Sequence, residues 1–481
     1  MDQLNDIITT VNDRYWYLII AILLASGIFY TVRTKFAQFR MMRDMARSVT
    51  EPPLVMENGR KGLSAFQSFS ISAAARVGTG NVAGVAVAIT IGGPGAVFWM
   101  WVTALIGAAT AFVESTLAQL YKVKDHDSYR GGPAYYITRG LKKRWLALIF
   151  AGVALVTYPL AFNSVQANTI ADVTKNAIGS DSAPLTIAIG VGLATLTALV
   201  IFGGIRRISW VCSIVVPAMA ISYVGIGLVV VAMNISEVPT VLLLIVENAF
   251  GIGEVIGGGI GAALMYGIRR GLYSNEAGMG SIPNVSATAA VSHPVKQGFV
   301  QSLGVYFDTL LICSMTAFII LLSDPDLSER AGASLTQDSL AAQFGNWALV
   351  YLAVVMFFLA FSSVLGNYYV GQANVQFLTS SQSALQLFRL AVVGCVFGGA
   401  VGSLPFVWNL ADLTMGVMVL INLLAIAPLS FVAFRLLEHY RNQRRLGLDP
   451  VFVRSDMPDL TGVECWERVS QPDSIGADVR R

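Results

Sequence analysis

Arg76-Val77-Gly78-Thr79-Gly80-Asn81 lies in the middle of an apolar run over residues 63–91. A run of that length can cross a hydrocarbon core of about 30 Å as a helix. Glycine, however, costs a helix roughly 1 kcal/mol relative to alanine, and here two glycines are followed at once by a polar amide. The stretch reads as a membrane helix broken near its centre. A second cluster, Gly251-Ile252-Gly253-Glu254-Val255-Ile256-Gly257-Gly258-Gly259-Ile260-Gly261, follows five runs later. Close helix packing explains an isolated pair of small residues, but two dense clusters in corresponding places point to two broken helices.

The rest of the chain supports a membrane setting. Of 481 residues, 55% are hydrophobic and 13% charged, where soluble domains carry roughly a quarter charged. Apolar runs fall at 15–34, 63–91, 95–121, 145–172, 184–203, 208–233, 252–270, 297–322, 347–378, 385–402 and 406–437, which predicts an all-α polytopic membrane protein of eleven transmembrane helices. Residues 1–15 lack a basic leader and a small-residue cleavage site, so the first run reads as a retained helix. The four cysteines, Cys212, Cys313, Cys395 and Cys465, have no paired spacing, and with three scattered histidines they suggest neither disulfides nor a metal centre.

Lysine and arginine set the orientation. Among 32 basic residues, Arg14, Lys175 and Arg330 fall on one side and Arg76 within a span. The rest fall in alternate loops on the other side, including Arg33 to Lys61, Lys122 to Arg144, Arg206, Arg207, Arg269, Arg270, Lys296, Arg389 and the tail from Arg435. The positive-inside rule then places the N-terminus outside and the C-terminus in the cytoplasm. Residues 1–62 form an N-terminal helix and basic segment, and 438–481 a cytoplasmic tail. Residues 63–250 and 251–437 form two five-helix units of opposite topology, each opening with a broken helix. That is the plan of an inverted-repeat transporter, whose site lies at the breaks.

Unwound backbone inside a membrane needs partners: free N–H groups suit a carboxylate and free carbonyls a cation. Gly78, Thr79, Gly80 and Asn81 supply both. Ser362 and Ser363, in Leu359-Ala360-Phe361-Ser362-Ser363, either bond carbonyls of their own helix or complete a cation cage opposite the break. Phe162-Asn163-Ser164-Val165-Gln166-Ala167-Asn168 is polar enough to line a cavity, or to hold helices together. Arg76, Glu114, Glu254, Asp308 and Asp412 are ionisable groups within spans, and such groups are functional candidates. Asp308 has two readings: it faces Asn81 and lines an ion or proton route, or it pairs with Arg76. Glu114 reads as a structural anchor, and Asp412 and Glu254 stay open. The Gly/Pro-rich loop Tyr129–Ile137 reads as a short interfacial element or gate.

At these residues the chain resembles the alanine or glycine:cation symporter family. The likeness rests on Val77-Gly-Thr-Gly-Asn81-Val-Ala-Gly-Val, Gly92-Gly-Pro-Gly-Ala-Val-Phe-Trp-Met-Trp101 and Gly131-Gly-Pro-Ala-Tyr-Tyr136. It extends through Val165-Gln-Ala-Asn168, Arg270-Gly-Leu-Tyr-Ser-Asn-Glu-Ala-Gly-Met-Gly-Ser281, Phe307-Asp-Thr309 and Ala360-Phe-Ser-Ser363. The resemblance implies a leucine-transporter-type fold: one N-terminal helix plus a five-plus-five inverted repeat. It implies sodium, sometimes a proton, as co-substrate and an amino acid of alanine or glycine size. Carried over, the N–H groups of Thr79 and Gly80 hold the substrate carboxylate. The carbonyls of Ala74, Val77 and Leu359 and the hydroxyls of Ser362 and Ser363 hold sodium. Substrate contacts are expected from Gly78, Asn81, Phe162, Gln166, Gly258, Gly259 and Asn367, with Asn81 and Asp308 as a second ion or proton site. Asn367 stands where some relatives carry tryptophan, so it bears on pocket shape.

The expected activity is uptake of a small neutral amino acid with sodium across the cell (inner) membrane. A proton-coupled carrier, or one for a larger neutral amino acid such as glutamine, is the alternative. A channel would need a selectivity filter or charged ring, and an enzyme a nucleophile or acid–base cluster; neither pattern stands out. No cofactor, nucleic acid or obligate protein partner is indicated.

Overall fold

A computed structural model describes residues 2–55, 59, 61–125, 128–252, 258–324, 327, 332–402 and 404–467. The chain opens with helix α1 (Asp2–Arg33), then α2 (Ala37–Arg40) and α3 (Met42–Val49). Helix α4 (Ala65–Arg76) starts at a capping box. The Ser64 hydroxyl accepts the Gln67 N–H at 3.0 Å, and the Gln67 side chain accepts the Ser64 N–H at 3.0 Å. The helix stops at Val77, which is extended (φ −80°, ψ 96°). A π-helical turn, Gly80–Gly84, then leads into α5 (Val85–Gly92) at a bend of 48°. This is the break expected in the second span.

Helix α6 (Gly95–Leu120) is followed by a hairpin, β1 (Val123–Asp125) with β2 (Ser128–Arg130), and α7 (Pro133–Arg139). The Gly/Pro-rich loop is therefore a hairpin and a short helix. Helices α8 (Arg144–Val156) and α9 (Asn163–Ile178) are joined by a π-helical segment, Thr157–Phe162. Then come α10 (Ala183–Ile201), α11 (Gly204–Met233), α12 (Val238–Phe250), α13 (Gly259–Asn275) and α14 (Ile282–Ser286). Helices α15 (Pro294–Val305) and α16 (Ser314–Leu321) flank a third π-helical segment, Tyr306–Cys313. Helices α17 (Ala333–Phe344), α18 (Trp347–Leu378), α19 (Gln382–Val401) and α20 (Leu404–Arg445) complete the order.

Among the described residues, nine helices are long and apolar enough to cross a membrane, or ten with the bent α4–α5 pair. The shortfall against eleven runs lies at 252–270. There α13 has 17 residues, fewer than the roughly 20 that span a bilayer, and α12 is shorter still. The final run, expected to end at 437, continues as helix to Arg445.

Most of the predicted second cluster, residues 253–257, lies outside the described residues, and a further unwound stretch lies beyond α13. Helix α13 runs unbroken from Gly259 past Gly267 and Gly271, which pack on Ala96, Trp99 and Met100 of α6. Close packing is the use of these small residues. The helix ends instead at Glu276, in the left-handed region (φ 55°), and Gly278 and Gly280 follow at φ 88° and 82°. Arg269 and Arg270 are accordingly not loop residues: both are buried in α13, against Trp16 and Asp412. Residues 253–257, including Glu254, lie outside the described residues.

Helix α4 packs on α11, α15 and α18, α13 on α5 and α6, and α18 on α9. The outward faces of α10 and α11 are apolar and exposed; Ile221 is 73% accessible. Such a face fits lipid rather than water.

Candidate functional site

The α4–α5 break gathers most of the residues singled out above. The Gly78 N–H donates to Asn81 Oδ1 at 2.9 Å, and the Thr79 N–H to Gln166 Oε1 of α9 at 3.2 Å. Two N–H groups freed by unwinding thus meet amide oxygens, acceptors of the kind a carboxylate also offers. A Cβ on Gly78 would meet Gln166 Oε1 at 3.0 Å and overlap the Ser363 hydroxyl, so glycine is what lets α9 and α18 reach the break.

On the other side of the break, Ser363 Oγ donates to the Leu359 carbonyl at 3.1 Å and lies 3.3 Å from the Val77 carbonyl. Ser362 Oγ bonds the Leu359 carbonyl at 2.8 Å. The hydroxyl pair therefore does bond its own helix, and Ser363 also reaches the broken one. Val77, Leu359, Ser362 and Ser363 stand together, all buried, with Ala74 one turn back on α4. Neutral hydroxyls and carbonyls are the donor set a hard monovalent cation takes.

Asp308 lies in the third π-helical segment. Its carboxylate accepts from Asn81 Nδ2 at 2.6 Å, Ser274 Oγ at 2.6 Å and Thr309 Oγ1 at 2.9 Å. Asn81 Nδ2 also approaches Ser274 Oγ at 2.9 Å and Cys313 Sγ at 3.3 Å. The Asn81 carbonyl accepts from Thr316, whose hydroxyl meets that of Tyr223. Asp308 thus faces Asn81. Arg76 bonds Gln301 instead, at 3.1 Å to its Oε1.

An aromatic row closes the opposite wall. Phe162 lies 4.7 Å from the Tyr273 ring, which lies 4.9 Å from Trp408. A Cβ on Gly80 would meet Tyr273 Cδ1 at 3.0 Å, so this row abuts the break. Behind it Arg270 stacks on Trp408 and pairs with Asp412, which also lies 3.5 Å from Arg269. Glu114 holds the unwound stretch after α13: it accepts from the Gly278 N–H at 3.1 Å and from Asn422 at 2.7 Å.

Two groups of expected residues fare differently. Gly258 and Gly259 sit away from the α4–α5 break, because the Gly258 N–H bonds the Ile91 carbonyl at the far end of α5. They stand at the start of α13, directly after residues 253–257, which lie outside the described residues. Asn367 is buried on α18, with neither side-chain polar atom hydrogen-bonded among the described residues. Ser274, Tyr273, Cys313 and Trp408 were not singled out for the site. The run Ser274-Asn-Glu-Ala-Gly-Met-Gly280 carried a partial signal, since two closely spaced glycines mark a turn or helix end.

Known proteins resemble the chain over nearly its whole length. The sequence profile of the sodium:alanine symporter family matches residues 1–454. The chain is 50% identical over 467 residues to the amino-acid carrier protein AlsT of Bacillus subtilis, covering 97% of this chain and 98% of the relative. It is 47% identical to the probable sodium/glutamine symporter GlnT of the same organism, over 96% of both chains. It is 39% identical to the sodium/alanine symporter AgcS of Methanococcus maripaludis, over 89% of this chain and 95% of the relative. The chain belongs to the sodium:alanine symporter family.

Proposed function

We propose that the protein imports alanine, and glycine with it, together with sodium. The observation that carries the reading is Ser363, whose hydroxyl joins the carbonyls of Val77 on the broken helix and Leu359 on α18. A sodium ion held there, by Ala74, Val77, Leu359, Ser362 and Ser363, ties the two helices together. The Thr79 N–H, now on Gln166, and that of Gly80 then receive the substrate carboxylate, within a pocket bounded by Gly78, Asn81, Phe162, Gln166 and Asn367. Tyr273 against Gly80 narrows the space for a side chain, which favours a methyl group over a longer amide.

In this reading residues 63–250 and 251–437 are the inverted halves of a leucine-transporter-type fold preceded by one helix. The N-terminus lies outside the inner membrane and the tail in the cytoplasm. The test is equilibrium binding of radiolabelled alanine to the purified protein. Binding should require sodium and be displaced by glycine at lower concentration than by glutamine. Displacement by glutamine at the lower concentration would assign the larger substrate, the one in the name of the GlnT relative.

A second reading concerns the Asn81–Asp308 cluster. An ionisable group joined to the broken helix can carry a second ion or a proton through the cycle.

A further inference from the structure

A basic cleft lies at the end of the molecule where α1 and α20 finish. One part, about 470 Å³, is lined by Lys35, Arg40, Arg441, Arg444 and Arg445. An adjoining part, about 600 Å³, shares Lys35, Arg441 and Arg445, and its walls turn apolar through Val32, Phe431 and Phe434. Lys35 and Phe36 adopt left-handed backbone (φ 54° and 57°), uncommon for residues other than glycine. That turn swings α2 back, so that Lys35 and Arg40 both flank α20.

The charges in the cleft are unevenly matched. Arg441 donates to the Thr34 carbonyl at 2.6 Å, and Arg444 pairs with Asp44 at 2.9 Å. Arg33 lies over the rings of Phe431 and Phe434. Among the described residues no ion pair forms at Lys35, Arg40 or Arg445; the last two oppose the charge of Arg441, which Glu438 on the cleft wall only partly offsets. Like charges held together favour an anion between them. Phe36, Phe39 and Phe431 are exposed beside them, and Phe431 continues the apolar lipid-facing side of α20.

We propose that this cleft binds one anionic phospholipid, its phosphate among Lys35, Arg40 and Arg445 and its acyl chains along Val32, Phe431 and Phe434. A basic pocket between the ends of membrane helices, with an apolar wall running toward the bilayer centre, matches both parts of such a lipid. A neutral phospholipid satisfies the wall but not the charges, and free phosphate the charges but not the wall. The inference is independent of what the protein transports.

The experiment is native mass spectrometry of the full chain in detergent, titrated with palmitoyl-oleoyl phosphatidylglycerol, the matching phosphatidylcholine, or inorganic phosphate. Phosphatidylglycerol should bind at least tenfold more tightly than phosphatidylcholine, and millimolar phosphate should not displace it. Each basic residue near a membrane surface contributes about fivefold in affinity, so Lys35→Gln/Arg40→Gln/Arg445→Gln should weaken phosphatidylglycerol on the order of 100-fold. Phosphatidylcholine binding should be unchanged. Should the triple variant not fold, Lys35→Gln and Arg445→Gln alone should each show the fivefold loss. Equal binding of the two lipids, displacement by phosphate, or wild-type phosphatidylglycerol affinity in the variants would overturn the proposal.

Discussion

The hydroxyl of Ser363 touches carbonyls on two helices, and that of Ser362 on one. A ligand or hydrogen bond to a charge is worth roughly 1.5–3 kcal/mol. Ser363→Ala should therefore weaken sodium about tenfold or more, measured as the sodium concentration that half-saturates alanine binding. At saturating sodium the alanine affinity should move much less. An unchanged sodium dependence would remove Ser363 from the cation site. Asp308 answers a different question. Asp308→Asn keeps the shape of a group that bonds Asn81, Ser274 and Thr309, so the melting temperature should stay near that of the parent. Gradient-driven uptake should be lost or change its pH dependence while substrate counterflow persists. A stable variant with normal driven uptake would exclude Asp308 from the mechanism. Gly78, Thr79, Asn81 and Asp308 were legible in the sequence because polar or flexible residues inside an apolar run need a reason. Ser274 and Cys313 were not, since a small residue in a membrane helix reads equally well as packing.

Among helices, the first break was legible, and the unwound stretch after α13 was not. Both regions are glycine-rich, but glycine serves close packing in α13 up to Gly271 and unwinding only after Asn275. Composition does not separate those uses; the neighbouring Glu276, buried and bonded to Ser281, does. The π-helical segments at Asn81, Phe162 and Asp308 could not be read at all, because they depend on what the backbone packs against. Such segments frequently occur at functional sites. The tail is a further element whose docking was not legible. Phe452 donates its N–H to the Ser292 carbonyl, and Trp466 bonds the Gln119 and Leu120 carbonyls. Between them His293 caps α15 through the Val295 N–H and meets His439, which lies 3.5 Å from Asp456.

Burial, with the charges of His439 and Lys296, holds His293 well below the usual histidine value of 6.5. A lowered value in the folded state means that the stability it carries is full above about pH 6.5 and is lost as the pH falls. The melting temperature should therefore drop between about pH 6.5 and 5 by more in the parent than in His293→Asn, which keeps a capping acceptor without a titrating ring. Parallel curves for the two proteins would show that His293 does not govern the acid response of the docked tail.

At the scale of the whole molecule, a belt of exposed apolar residues on α10 and α11 and the basic cleft at one end describe a body embedded in a bilayer. The apolar runs made the membrane class and most spans legible, because lipid imposes a length that little else in a sequence imitates. Of the run at 252–270 the described part is helix from Gly259, and residues 253–257 lie outside the described residues. The runs gave no sign of α12 and α17, whose 13 and 12 residues are too short to stand out by hydropathy. The central claim is that the broken α4–α5 span couples alanine to sodium. Its most direct test is uptake of radiolabelled alanine by proteoliposomes containing only this protein, at fixed pH, with an imposed inward sodium gradient or with choline in its place. The account predicts accumulation above the external alanine concentration with sodium, collapse to equilibration when the gradient is dissipated, and little uptake in choline. Equal accumulation in sodium and in choline would contradict it.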